Sequence, residues 1–154
     1  FEPERRGTDL AGSLQTMGRV LKRRSILFLI SDFREGGTAR EGNAPAEKLK
    51  LALKLASIKH DVVPVVVTDP RERALPRFRA FMELDDPESG QRVLFDASDS
   101  GGLASFKRAE EARLAALGAL FGLCGLEHIR VDTAGNFIDP IVRFFQKRAK
   151  RLRR

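Results

Sequence analysis

The 154-residue chain contains no tryptophan, no tyrosine and a single cysteine. Without Trp or Tyr, and with no aromatic residues interleaved among its basic ones, it lacks a stacking platform for single-stranded nucleic acid. No specific nucleic-acid partner is therefore expected. The lone Cys124, in "FGLCGL", excludes an internal disulfide and a Cys-rich zinc site. Its apolar neighbours make it a packing residue rather than a reactive thiol. No apolar run is long enough to span a bilayer, and no signal-peptide pattern opens the chain. There is no G-x-S-x-G, no P-loop and no G-x-G-x-x-G. Residue 1 is Phe rather than Met, so a fragment or a processed product is expected.

What is present is an apolar fraction of 42%, enough to bury the core of one domain. The net charge is +7, but it is unevenly placed. The last eight residues, "KRAKRLRR", hold six basic groups and no acid; without them 22 basic residues face 21 acidic ones. The body is nearly neutral and the basicity reads as a solvated tail. Membrane contact is expected only through that tail or through a segment upstream of Phe1. The expected setting is cytoplasmic, with membrane association reserved for a full-length protein.

Two kinds of periodicity alternate along the chain. Leu10, Leu14, Met17 and Leu21 recur at helical spacing over 8–23, with Thr8 or Asp9 as the cap. "SILFLIS" (25–31) is a continuous apolar run of the kind buried in parallel sheets. "PAEKLKLALKLASI" (45–58) is a second helix, and "VVPVVVT" (62–68) a second buried strand in which Pro64 removes one ladder donor. Residues 79–96 then read as a hairpin turning at Pro87 to Gly90. Helix returns over 103–123, "EHIRVDT" (127–133) is a third strand, and 136–150 is a closing amphipathic helix. The fold class is α/β, a mainly parallel sheet flanked by helices with an inserted β-hairpin. Residues 1–134 form the α/β unit; 135–154 form its C-terminal helix and basic tail. Three parallel strands are few, and "ILFLI" calls for cover on both faces and on its edge. Further strands are expected from upstream or from another chain, and an uncovered edge should drive self-association.

Three acids follow the strands: Asp32, Asp69 and Asp132. Ligands of open α/β sheets bind beyond the carboxyl ends of the strands, where three carboxylates could hold Mg²⁺ or Mn²⁺ for phosphoryl chemistry. The simpler reading is that such acids start loops or cap helices, as Asp69-Pro70 suggests. Thr8 starts the helix that leads into the Asp32 strand. A hydroxyl and a carboxylate so placed can converge on one cation, although Thr8 also suits an N-cap. A literal D-x-S-x-S occurs at Asp96, Ser98 and Ser100, but it follows a hairpin arm, which favours loop and helix-capping roles. His60 and His128 have no partner at ligand spacing and read as packing or loop residues.

Several stretches resemble one bacterial family. They are "GTDLAGSLQTMGRVLKRRSILFLISDF", "LKLASIKHDVVPVVVTDPRERALP", "MELDDPESGQRVLFDAS" and "FIDPIVRFFQKRAKR". In this order they are similar to domain-of-unknown-function family 58, von Willebrand factor A-like (vWA) proteins associated with MoxR-type AAA+ ATPases. The resemblance implies a vWA-type Rossmann-like fold, of which this chain is the C-terminal portion. It implies a metal site built from D-x-S-x-S, then a Thr, then an Asp. Thr8 matches the Thr and Asp32 the Asp, with Phe33 where many vWA domains have Gly. The D-x-S-x-S would lie upstream of Thr8, so the site carried here is incomplete. The implied function is a non-catalytic, Mg²⁺-dependent protein-interaction module whose partner is a MoxR-type ATPase, in complex maturation. The alternative is a Mg²⁺- or Mn²⁺-dependent phosphohydrolase or nuclease using the strand-end carboxylates.

Overall fold

The aliphatic runs expected to be strands pair with one another in the computed structural model, which describes residues 8–34, 44–73, 75–85 and 92–152. In chain order the elements are α1 (Leu10–Val20), β1 (Ile26–Ser31), α2 (Ala44–Lys59), β2 (Asp61–Thr68) and the single turn α3 (Pro70–Arg73). There follow β3 (Phe81–Asp85), β4 (Arg92–Asp96), α4 (Ser100–Leu123), β5 (Ile129–Asp132) and α5 (Ile138–Leu152). Strands β1, β2 and β5 form a parallel sheet in the order β1-β2-β5. β3 and β4 pair antiparallel as a separate two-stranded sheet. The mixed α/β architecture with an inserted hairpin is as expected; the expected turn at Pro87 to Gly90 lies outside the described residues.

Side-chain alternation in the strands assigns the two faces of the sheet. Leu27 and Leu29 of β1 and Val62 and Val66 of β2 point to one face, into a core with α1, α2 and α4. Leu53 and Phe121 are fully buried there. Val63 and Val65 of β2 and Ile129 and Val131 of β5 point to the other face, where Ile141 and Phe144 of α5 cover them. Central β2 is therefore apolar on both faces, as a parallel strand between helical layers must be. Pro64 sits in it without penalty to the second ladder, because β5 joins only from Val65 onward. At Pro64 the strand still has one neighbour, the kind of place proline tolerates.

The ends of the elements show which local signals act. Asp9, not Thr8, caps α1: its carboxylate accepts the Gly12 N–H at 2.7 Å. Asp99 caps α4 by accepting from the Gly101 N–H at 2.9 Å. Gly125, at φ 69°, takes the left-handed conformation that ends α4, and Cys124 is half-buried against the core. Burial pushes the Cys124 thiol up, in keeping with an inert packing role.

The basic C-terminus differs from the solvated tail expected of it. The helix runs through Leu152, and three cations of the last eight residues, Lys147, Arg148 and Arg151, are engaged. Arg148 makes paired hydrogen bonds to Asp61 at 2.7 and 2.9 Å and lies over the Phe144 ring. Lys147 and Arg151 meet Glu127 at 3.4 and 2.7 Å. Acids at the start of β2 and just before β5 draw the helix onto the sheet. No helix among the described residues is long and apolar enough to cross a membrane.

Candidate functional site

The C-terminal ends of three parallel strands bring Asp32, Asp69 and Asp132 to one end of the sheet. Two of these acids are committed to loop structure. Asp69 accepts from the Arg71 N–H at 2.8 Å and from the Thr133 hydroxyl at 2.8 Å. The Arg71 amide, then the Thr133 hydroxyl, hold its carboxyl below the usual range. Asp132 pairs with Arg73 at 3.0 Å and accepts from the Ala134 N–H at 3.0 Å. Register Thr68↔Asp132 makes this a local clasp between the β2 and β5 ends. Among the described residues no three Asp, Glu, His or Cys side chains gather closely enough to hold a metal ion. The three carboxylates thus do not form one cluster.

Asp32 is set differently. It is exposed, one residue beyond β1, whose last residue Ser31 aligns with Val66 and so ends short of the Asp69–Asp132 clasp. Its Oδ1 accepts from the Arg34 N–H at 3.2 Å, and the Ser31 hydroxyl accepts from the Phe33 N–H at 3.0 Å. Phe33 carries a φ of 54°, a left-handed conformation that a bulky side chain adopts only under constraint. The constraint is visible: the ring is buried and meets Phe121 edge-on at 5.2 Å. This is the position at which the resemblance calls for Gly, and the backbone has the conformation that favours glycine.

A polar brace holds the same loop from α4. Glu110 is 7% exposed and takes two bonds from Arg113, at 2.8 and 2.9 Å, and one ion pair from Arg34 at 3.0 Å. Arg113 reaches on to the carbonyls of Asp32 and Phe33 at 3.1 and 3.4 Å. Burial pushes the Glu110 carboxyl up, but Arg113 and then Arg34 outweigh it and hold it below the usual range. Sequence reading passed over this brace. Its one local signal is a carboxylate at 110 on the apolar stripe that runs from Phe106 to Leu114 and Leu117, with Arg at the i+3 position.

Thr8 stands just before the Asp9 cap and is exposed. Leu10, which follows that cap, and Phe33, which follows Asp32, both belong to the large core cluster under α1, α2 and α4. The D-x-S-x-S at 96–100 is consumed locally. Asp96 accepts from both the hydroxyl and the N–H of Ser98, at 2.7 and 2.8 Å, which lower its pKa, and Ser100 opens α4. Both histidines pack. His60 is 2% exposed at the end of α2. His128 lies against Phe121 at 5.2 Å, and burial, then Arg130, lowers its pKa.

Residues 1–115 match the family model described as "Protein of unknown function DUF58". The chain belongs to this family. The match takes in Thr8, Asp32, the hairpin and the Glu110–Arg113 brace, and ends within α4. The DUF58 chain is 29% identical over 143 residues to the uncharacterized protein Mb1516 of Mycobacterium bovis. It is equally similar to the uncharacterized proteins MT1527 and Rv1480 of Mycobacterium tuberculosis. The aligned region is 92% of this chain but 41% of each relative, so the chain spans about two-fifths of the length of the curated relatives it matches. No solved structure matches it.

Proposed function

We propose that this DUF58 chain is part of a vWA-type, Rossmann-like interaction module that binds a partner protein without catalysing a reaction. The cation would be Mg²⁺, held in part by Thr8 and Asp32. The partner would be a MoxR-type AAA+ ATPase served in complex maturation. The observation that carries the reading is the exposed carboxylate of Asp32, at the carboxyl end of a parallel strand, on a loop braced through Phe33 and Arg113.

The donor chemistry suits the ion. A threonine hydroxyl and a carboxylate are hard oxygen ligands, and Mg²⁺ wants six oxygens in octahedral array. Two donors leave most of the shell to water, to residues outside this chain and to a carboxylate of the partner. Bound Mg²⁺ would supply the positive charge on which that carboxylate docks. Rigid presentation matters for such a contact, because a loop ordered before binding loses less entropy on association.

The test is Mn²⁺ binding, followed by electron paramagnetic resonance, on the polypeptide as the cell makes it and on its Asp32→Asn variant. Binding should weaken by at least about tenfold in the variant, and capture of the MoxR-type ATPase should fall with it. Unchanged Mn²⁺ affinity would sink the site assignment. Metal-dependent turnover of a phosphoester or nucleic acid, lost in the same variant, would replace the binding module with the phosphohydrolase or nuclease reading.

A further inference from the structure

Helix α2 is apolar on two opposite sides. Leu49, Ala52, Leu53 and Ala56 are buried in the core. Leu51, Leu55 and Ile58, at i, i+4 and i+7, form a second stripe that looks outward and is 59%, 55% and 80% exposed. Lysines line both flanks of this stripe. Lys59 reaches the Gly18 carbonyl of α1 at 3.4 Å, and Lys48 lies about three turns earlier on the same flank. Lys50 lies beside Cys124 at the end of α4, its carbonyl 3.7 Å from the thiol, and Lys54 follows about one turn on.

The end of α1 and the turn into β1 add Arg19, Lys22, Arg23 and Arg24, all exposed. The Asp61 N–H donates to the Ser25 carbonyl at 2.9 Å, which sets this turn beside the end of α2. From Leu10 through Ser31 and along α2 the chain carries eight basic residues and one acid, Glu47. Glu47 pairs with Lys50 at 3.2 Å. Among the described residues, Arg19, Lys22, Arg23, Arg24, Lys48 and Lys54 make no ion pair. The near-neutral balance of the body therefore conceals one cationic side with an apolar centre.

That combination fits a membrane surface better than a protein. Lysine is depleted at protein–protein interfaces, whose centres are aromatic and arginine side chains seated in pockets. Here the centre is leucine and isoleucine on a convex helical ridge. At a bilayer surface such aliphatic side chains enter the boundary between headgroups and acyl chains. Flanking lysines lay their stems along the apolar surface and set their charges among the lipid phosphates. Each cation held there favours an anionic leaflet. We infer that the outer side of α2, with the α1–β1 turn beside it, docks on an anionic lipid surface, the helix lying in the membrane plane. Membrane contact is thereby placed on the body and not on the basic end, where Asp61 and Glu127 engage Arg148 and Arg151. This inference does not depend on whether a cation binds near Asp32.

A genetically encoded, polarity-sensitive naphthyl amino acid at Leu55, in the polypeptide as the cell makes it, tests the docking. The vesicles are phosphatidylcholine alone, or an equal mixture with phosphatidylglycerol, each with brominated acyl chains as quencher. With the mixed vesicles, emission at position 55 should shift to the blue and be quenched by the bromine. The same residue at Gln146 of α5, on the opposite face of the sheet, should keep its water-like emission. Exchanging Lys48, Lys54 and Lys59 together for Gln should cut quenching at position 55 at least about fivefold, as should about 1 M salt. Placing the fluorophore at Leu51 instead should repeat the result and guards against a local effect of the Leu55 replacement. Three outcomes would each overturn the inference. They are water-like emission at 51 and 55 with the mixed vesicles, equal quenching without phosphatidylglycerol, and blue emission that bromine does not quench. The last would mark a protein segment or a second copy lying on the stripe.

Discussion

The two faces of the parallel sheet are built to different degrees. One lies under α1, α2 and α4, and its core runs without a break from Leu10 through Leu53 and Val66 to Phe121. Among the described residues the other lies under α5, its buried set is Val63, Val65 and Ile129, and β1 stays about half exposed on that side. Both faces are equally apolar in sequence, since β1 offers Leu27 and Leu29 to one side and Ile26, Phe28 and Ile30 to the other. The contrast therefore lies in what is packed against the sheet. Phe33 is held in a left-handed conformation on the well-built face, because only a dense core over-determines a strained residue.

The largest expected effect breaks the well-built face. Phe121→Ala removes a fully buried ring that supports both Phe33 and His128, and should lower stability by about 3–5 kcal/mol. Phe28→Ala on the open face, in the 154-residue chain, should cost about 1 kcal/mol or less, since half the ring already meets water. Urea unfolding of the two variants measures the contrast. Comparable losses would mean that β1 is covered within these 154 residues.

A middling effect separates packing from the polar brace on that same face. Glu110→Gln leaves Arg113 and Arg34 without their shared carboxylate and should cost about 2 kcal/mol at neutral pH. The native Glu110 carboxyl lies below its ordinary 4.5, so its contribution is complete above that pH and is lost as pH falls through the lower native value. Wild type should thus lose its advantage over Glu110→Gln below about pH 4.5, as read by thermal unfolding across pH 7 to 3. A gap that does not begin to narrow as pH falls below 4.5 would assign the effect to shape rather than charge.

The elements of the fold were legible because hydrophobic period changes cleanly between "ILFLI" or "VVPVVV" and the helices that flank them. Of the four apolar anchors the α5 periodicity suggests, Phe137, Ile141, Phe144 and Phe145, the middle two pack on the sheet, whereas Phe137 precedes the helix and is exposed, and Phe145 is about a third exposed. Asp32 was legible as a strand-end acid. Its brace was not, because Arg34 and Glu110 are 76 positions apart in sequence, and no local pattern encodes a pairing made only by packing α4 beside the end of β1. The D-x-S-x-S is local for the opposite reason: Asp96 accepts from both the N–H and the hydroxyl of Ser98, two residues on, which is the loop role expected of it. The basic end misleads because charge density alone says nothing about where acids lie. Asp61 and Glu127, remote in sequence, convert half of an apparent tail into the pinned last turns of a helix.

That pinning provides a small expected effect and the finest test of the thinly built face. Arg148 holds α5 to the start of β2 by two charge-assisted bonds to Asp61, with Glu127 at 3.5 Å. Asp61 and Glu127 favour its charged form and raise its pKa further. Two parallel bonds in a planar fork are worth more than one point contact, but the partners remain about a quarter to a third exposed, and solvent screening discounts them. Arg148→Ala should therefore cost about 1 kcal/mol, part of it from lost packing on the Phe144 ring. Arg148→Lys should keep the charge and lose the fork, costing about half as much. Raising salt from about 0.1 M to 1 M shortens the Debye length to about 3 Å, and should narrow the gap between wild type and Arg148→Ala. A gap that does not change with salt would show that α5 is held to the sheet by Ile141 and Phe144 alone, with the ion pair contributing only its aliphatic stem.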